Sequence, residues 1–417
     1  MRHRILLSAM ALFCLLSCSD SGRTESSPLM KTVPSRSLAV MHFGDCSRGL
    51  ALLLDSTHVF RNLDYGRLKD AEMILSYDYG AALVPLLCLD AGRASADTSS
   101  AVKSVLKQAE AKGLNCLYTA NLLPRRAALL LSPSRASIAE ALEHINSGAS
   151  ILDVHGFAEA ESLACGACGS VFLKNGSSSR LLPKNLLKEY YPRQTLVRFF
   201  SEFAEWTVLN FKDYSREGMD ACFWGDGSRR YLCEVFSCLE AGKSLAADAV
   251  PSSADLVLCL PLADARDYLS LWRECLDLRA GLSKYKGRLA GLKKGFGKAP
   301  DTWFAEVSPR ELVLVRWDGH EVLLLRPAKK PKAFAPQENP YPGYAPALLG
   351  EAFRIGDDSF RAAEGGWLAF GSQDDVAAWL EAEKGGLQGL PRKARYYMIN
   401  KEFSVFAGPE NTILNVN

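Results

Sequence analysis

The chain has 417 residues, 48% of them hydrophobic and 23% charged, with a formal net charge of +2. That length exceeds what one core needs and points to two domains or more. A charge so close to neutral, without a basic domain, argues against nucleic acid as a partner.

In chain order, MRHRILLSAMALFCLLSC comes first. Arg2 and Arg4 precede an apolar run from Ile5 to Leu16. The run is shorter than the ~20 residues a membrane-spanning helix needs and has the dimensions of a secretory leader. It ends in Leu15-Leu16-Ser17-Cys18, similar to a bacterial lipobox. Cys18 is therefore read as the lipid-attachment residue, its sulfur taking a diacylglycerol before cleavage. Residues 1–18 form the leader, and Ser-rich residues 19–32 read as a disordered tether. This predicts a cell-envelope protein anchored to a membrane through its lipid, the outer membrane favoured over the inner, facing the periplasm or the cell surface. Ten cysteines follow Cys18, and those in apolar runs, such as Cys88 and Cys259, read as buried thiols with at most one or two bridges among the ten.

An internal repeat organises the rest. VPSRSLAVMHFGD at 33–45 matches VPSSADLVLCLPLAD at 250–264, each an apolar strand leading to an Asp that opens a helix. EMILSYDYG at 72–80 matches ELVLVRWDG at 311–319, each the first arm of a hairpin. LLLSPSRASIAEALE at 129–143 matches WLAFGSQDDVAAWLE at 367–381, with Ser134 and Ser372 as N-caps. VFLKN at 171–175 matches YMIN at 397–400. The predicted fold is α+β: two divergent tandem copies of a mostly antiparallel sheet with helices on one face, copy one at 33–247 and copy two at 250–417. Copy one is expected to carry extra helix at 151–170 and copy two at 277–299. Copy one continues through FAEWTVLNF (203–211) and a further hairpin. Copy two is expected to be shortened, ending before that part and leaving a sheet edge open to strand addition.

The frame FFSEFAEWTVLNF…GMDACFWGDG…YLCEVF…AVPSSADLVLCLPLADARDYLSLW…WFAEVSPRELVLV resembles an uncharacterised, domain-of-unknown-function family of Gram-negative envelope lipoproteins. Ala204-Glu205-Trp206, Val250-Pro251 and the stretch Trp303 to Glu311 carry the likeness, over roughly residues 33–400. The resemblance implies a fold and an envelope location and no catalytic residues.

Gly242-Lys243-Ser244 ends like a phosphate-binding loop, but the loop's first glycine is Ser237, so the backbone cannot wrap phosphates. Cys165-Gly166-Ala167-Cys168 is a C-x-x-C and a redox-pair candidate. It follows a helix and precedes a strand, the reverse of thioredoxin-like sites. One pair is also too few ligands for structural zinc. His42, Asp45 and Ser47 are neighbours, yet the repeat aligns them with Cys259, Asp264 and Arg266, as strand and cap positions. Ser100, Lys103, Ser104 and Lys107 give two overlapping S-x-x-K matches inside one amphipathic helix. His58, His144, His155 and His320 lack metal-ligand spacing. The lysine-rich 284–298 and 326–332 read as solvated or as contacts for anionic surfaces. In NPYPGYAP, Tyr341 and Tyr344 are candidates for a contact patch. The sequence thus predicts no cofactor, no metal and no polar cluster duplicated between the copies. It predicts a non-enzymatic envelope component that binds a protein or glycan, with thiol–disulfide exchange at Cys165 and Cys168 as the alternative.

Overall fold

A computed structural model describes residues 26–52, 58–79, 83–92, 96–123, 126–177, 202–214, 219–350, 353–385, 392–394, 396–400, 404–407 and 413–414. Residues 1–25, which include the expected leader and Cys18, lie outside them. Copy one consists of β1 (Ser37–Phe43), α1 (Cys46–Leu52), β2 (Met73–Tyr79), β3 (Leu83–Gly92), α2 (Ala96–Ala111), β4 (Asn115–Leu123), β5 (Arg126–Ser132), α3 (Arg135–Ser147), α4 (Phe157–Ser162), β6 (Gly169–Lys174), β7 (Trp206–Phe211) and β8 (Met219–Trp224). A connecting segment holds α5 (Leu232–Ser237) and the short β9 (Gly242–Lys243). Copy two runs β10 (Leu256–Pro261), α6 (Ala265–Leu278), α7 (Leu282–Phe296), α8 (Pro300–Val307), β11 (Pro309–Trp317), β12 (His320–Pro327), β13 (Phe334–Glu338), α9 (Tyr344–Leu349), β14 (Phe360–Glu364), β15 (Trp367–Gly371), α10 (Gln373–Glu381), β16 (Lys393–Ala394), β17 (Tyr396–Asn400), β18 (Ser404–Ala407) and β19 (Ile413–Leu414).

The two sheets have one topology. The first is ordered β4-β5-β3-β2-β1-β6-β7-β8, and the second repeats it as β14-β15-β12-β11-β10-β17-β18-β19 with β13 added outside β14. All ladders are antiparallel, and their registers coincide. His42 faces Ile74 on β2 as Cys259 faces Val313 on β11. Ala39 faces Tyr77 as Leu256 faces Arg316. The chain is thus two tandem copies of one α+β module.

Capping follows the sequence reading. Ser134 accepts from the Ser137 amide and Ser372 from the Asp375 amide, while Asp45 and Asp264 accept from Arg48 and Arg266. Each satisfies a donor that the first helical turn leaves unpaired.

Three expectations change. First, helices cover both faces of each sheet. In copy one Ala39, Leu75 and Leu87 pack under α1 and α2, while Val40, Ile74 and Leu86 pack under α3 and α4. In copy two Leu258 and Leu314 lie under α6 to α9, and Val257 and Val313 under α10. Every residue of β10 is buried, so the strand has no solvent-facing side to alternate toward. Second, copy two does reach counterparts of β7 and β8: β18 pairs with β17, and β19 with β18. They are four and two residues long. The outer strand β19 lies against β8, so that edge faces copy one. Third, the module begins earlier than Val33. Ser27 caps a 3₁₀ turn at Pro28–Thr32, and Leu29 and Met30 are buried against the sheet, so this end of the presumed tether is ordered. The apolar pair supplies core contacts that a polar linker lacks.

The copies share core. Phe203, Ala204, Leu232, Val235 and Phe236 of copy one's tail belong to the same buried cluster as Tyr268, Trp272 and Phe304 of copy two. Among the described residues no helix is long and apolar enough to cross a membrane.

Candidate functional site

The earlier start of the module exposes a relationship that follows from the repeat. Ser27 and His42 stand 217 positions before Ser244 and Cys259, and Glu72 stands 239 before Glu311. Ser27 and Ser244 play one local role, accepting the Leu29 and Ala246 amides at 3.2 and 3.3 Å. The strands then bring each serine's module partners together: a residue on β1 or β10, and a glutamate at the start of the neighbouring strand.

In copy two this polar junction is closed. Glu311 is 0% exposed. It accepts from Ser244 Oγ at 2.6 Å, the Leu245 amide at 2.9 Å and Arg326 Nε at 3.0 Å, with Cys259 Sγ at 3.1 Å. Arg326 also donates to the Lys243 carbonyl at 2.9 Å. A buried carboxylate is tolerated only with this degree of pairing.

In copy one the junction is open. His42 Nε2 lies 2.8 Å from Glu72, and the side chains are 31% and 24% exposed. Arg126, 47% exposed, sits 3.7 Å from the other Glu72 oxygen and 2.7 Å from Asp90. Burial pushes the Glu72 carboxyl up. Hydrogen bonds from His42 and Ser27 and the charges of His42 and Arg126 outweigh it, leaving the carboxyl below its ordinary range.

The cluster continues across the sheet. His42 faces Ser170 on β6, and Ser170 faces Asn210 on β7. Asn210 is 1% exposed. Its Oδ1 accepts from Ser170 Oγ at 2.6 Å and from the Cys165 amide at 3.1 Å, while its Nδ2 donates to the Leu163 carbonyl at 3.0 Å. The C-x-x-C turn is thereby fixed to the strand row that carries His42. Gly166 lets the turn close: a Cβ there would meet the Gly169 carbonyl at 2.1 Å. Glu161 on α4 overlooks the row, hydrogen-bonded by Ser26. Burial raises its carboxyl against the opposing effects of Ser26 and the His42 charge.

Cys165 is exposed and Cys168 half-buried, and both thiols are free. They fall between α4 and β6, as the sequence predicts. All ten described cysteines are unbridged; Cys46, Cys88, Cys259 and Cys275 are buried, whereas Cys238 joins Cys165 on the surface. Tyr344 is corrected as a contact residue, because it is 0% exposed. It stacks on Tyr341 at 5.0 Å and packs edge-on against Trp303 and Phe296. Tyr341 is half-buried with Lys298 over its ring at 5.5 Å. The prolines and glycine of NPYPGYAP thus turn the aromatic pair toward α7 and α8.

The remaining motifs are structural. Lys243 pairs with Lys393 in the β9–β16 ladder, next to Ser244 in the closed junction. Ser100, Lys103, Ser104 and Lys107 lie on the solvent side of α2, opposite buried Val102, Val105 and Ala109. His144, His155 and His320 contact Glu140, Glu205 and Asp375 singly. Among the described residues no group of three or more metal-ligating side chains is assembled. A cleft of about 300 Å³ at the start of α6 has Arg266 tied to Asp264 and Arg310 to the Ala263 carbonyl. It lies within copy two.

The expectation of no duplicated polar cluster is therefore corrected. Its signal was the aligned serine, strand residue and glutamate of the repeat; it was missed because the repeat was begun at Val33 and Val250, six residues after each serine. No protein-family model, no curated protein and no solved structure matches this chain.

Proposed function

We propose that this chain is a lipid-anchored cell-envelope protein that binds an envelope protein or glycan through the open polar row of copy one. Copy two is its structural counterpart. The anchor rests on the leader and on Cys18, together with the resemblance to envelope lipoproteins. One observation carries the binding role: the same junction has its glutamate buried and fully paired in copy two, whereas copy one replaces Cys259 by His42 and leaves His42, Glu72 and Arg126 accessible. Exposed donors and acceptors held on a rigid sheet suit recognition.

A second reading, thiol–disulfide exchange, draws on the exposed Cys165, whose backbone amide Asn210 holds beside this row. A photo-crosslinking residue placed at Arg126 in intact envelopes separates the two, with one at Lys286 on α7 as control. A reproducible adduct at 126 and none at 286 supports binding. Absence of adducts at 126, with a mixed disulfide accumulating on Cys165 in the Cys168→Ser variant, would replace it with the redox reading.

A further inference from the structure

The register that relates the copies also isolates a polar island in the core of copy one. Ser37, Ser76 and Asp78 are 1% exposed each. Their counterparts in copy two are Ala254, Val315 and Trp317, which belong to or pack against a purely apolar cluster. Ser76 and Asp78 are two apart on β2 and share the face that α3 covers, as Ile74 does. Ser37, opposite Asp78 in the ladder, donates to one carboxylate oxygen. Among the described residues, the other oxygen, Oδ2, and Ser76 Oγ have no hydrogen-bond partner.

We infer that Asp78 is a proton-operated latch: its neutral form seats α3 on this face of the sheet, where the helix packs on β3 to β5, and its ionisation loosens that contact. A carboxylate with one oxygen unpaired in a core is strongly disfavoured, whereas the neutral acid is tolerated. The groups facing Asp78 come from each element around it. Arg36, ahead of β1, is ion-paired to Glu140 on α3; His144 lies one turn further along α3, and Cys88 of β3, paired with Ile74, feels the Asp78 charge. Burial is the largest influence and raises the carboxyl to about 6; Glu140 adds to this, while Ser37, Arg36 and His144 oppose it. Because the folded chain holds this proton more tightly than the unfolded one, the associated stability is complete below about pH 4 and is lost as pH rises through about 6. The α3 contact responds because Ser137, Ile138 and Ala141 are buried on that side of the helix. Glu140 couples the helix to the charge beneath.

The test uses the full chain. Melting temperature and amide exchange of α3, corrected for intrinsic rates, are followed from pH 4.5 to 7.5. Wild type should lose a few degrees across the window, with α3 exchanging faster above it, while Asp78→Asn, permanently neutral, should stay flat. Two variants carry opposite signs: Ser37→Ala removes a donor to the ionised form and should move the midpoint up, and Glu140→Gln should move it down. If Asp78→Asn does not fold, these two shifts decide. The infrared band of the protonated carboxyl, which should disappear with a midpoint near 6, gives a direct reading. Identical pH slopes in wild type and Asp78→Asn, midpoints moving the same way in the other two, or no such band at pH 5 would overturn the latch.

Discussion

His42 Nε2 lies 2.8 Å from a Glu72 oxygen, at the place in the fold where Cys259 Sγ lies 3.1 Å from Glu311. One duplicated position thus carries two kinds of chemistry. A thiol beside a fully paired carboxylate belongs to a buried core, while an imidazole beside a partly exposed one meets solvent. The copies keep the backbone geometry and divide the roles: copy two uses its glutamate to fasten the connecting segment to the sheet through Ser244 and Leu245, and copy one leaves the equivalent surface open.

This division predicts unequal sensitivities. Glu311→Ala removes the buried acceptor that Ser244, the Leu245 amide and Arg326 share and should destabilise the fold by about 3 kcal/mol. Glu72→Gln, at a quarter-exposed site, should cost less than about 1 kcal/mol. Denaturant unfolding of the two variants measures both. Equal losses would mean that the junctions are energetically alike and the open one is structural too.

The repeat was legible because strand register transmits sequence spacing without loss: His42 with Ile74 and Cys259 with Val313 keep the same separations that align the text. The caps Ser134 and Ser372 were legible for a similar reason, since a cap is decided within three residues. Coverage of both sheet faces was written in the uninterrupted apolar run of β10, although hairpin turns drew the reading toward one covered face. β18 and β19 were not legible, because four and two residues carry too little periodicity to register. Tyr344 misled because turn-forming neighbours mark where the chain bends and not which way its aromatic rings point. The Glu72 and Glu311 junctions were legible only in part: the repeat aligns their serines and glutamates, but that these side chains meet needed tertiary contact.

Thiol reactivity should sort the cysteines by burial. Alkylation of the native chain at pH 8 should modify Cys165 and Cys238, both exposed, well before Cys46, Cys88, Cys259 and Cys275. Burial pushes the Cys88 thiol up to about 12 and the Cys275 thiol to about 11, so little nucleophilic thiolate forms there. Peptide mass spectrometry with and without denaturant reads the order. Early labelling of Cys88 or Cys259 would mean that the sheet cores open readily, and would weaken the distinction between a closed junction and an open one.

Two glycines test how the site is held in position. Gly113 and Gly156 share a left-handed backbone, φ +74° each, but a Cβ at Gly113 would meet nothing, whereas at Gly156 it would lie 2.0 Å from the Trp224 ring. Gly113→Ala should therefore cost only the conformational penalty, about 1 kcal/mol. Gly156→Ala must also expel the indole, which packs edge-on against His155, and should cost roughly 3 kcal/mol or more, in the range of overpacked cores. Gly156 opens α4, the helix that carries Glu161 above the His42 row, so the same variant should alter both the tryptophan emission and the His42 imidazole resonances. Gly113→Ala should leave both spectra unchanged. A Gly156→Ala chain as stable as Gly113→Ala, with native spectra, would show that Trp224 does not fix this end of α4.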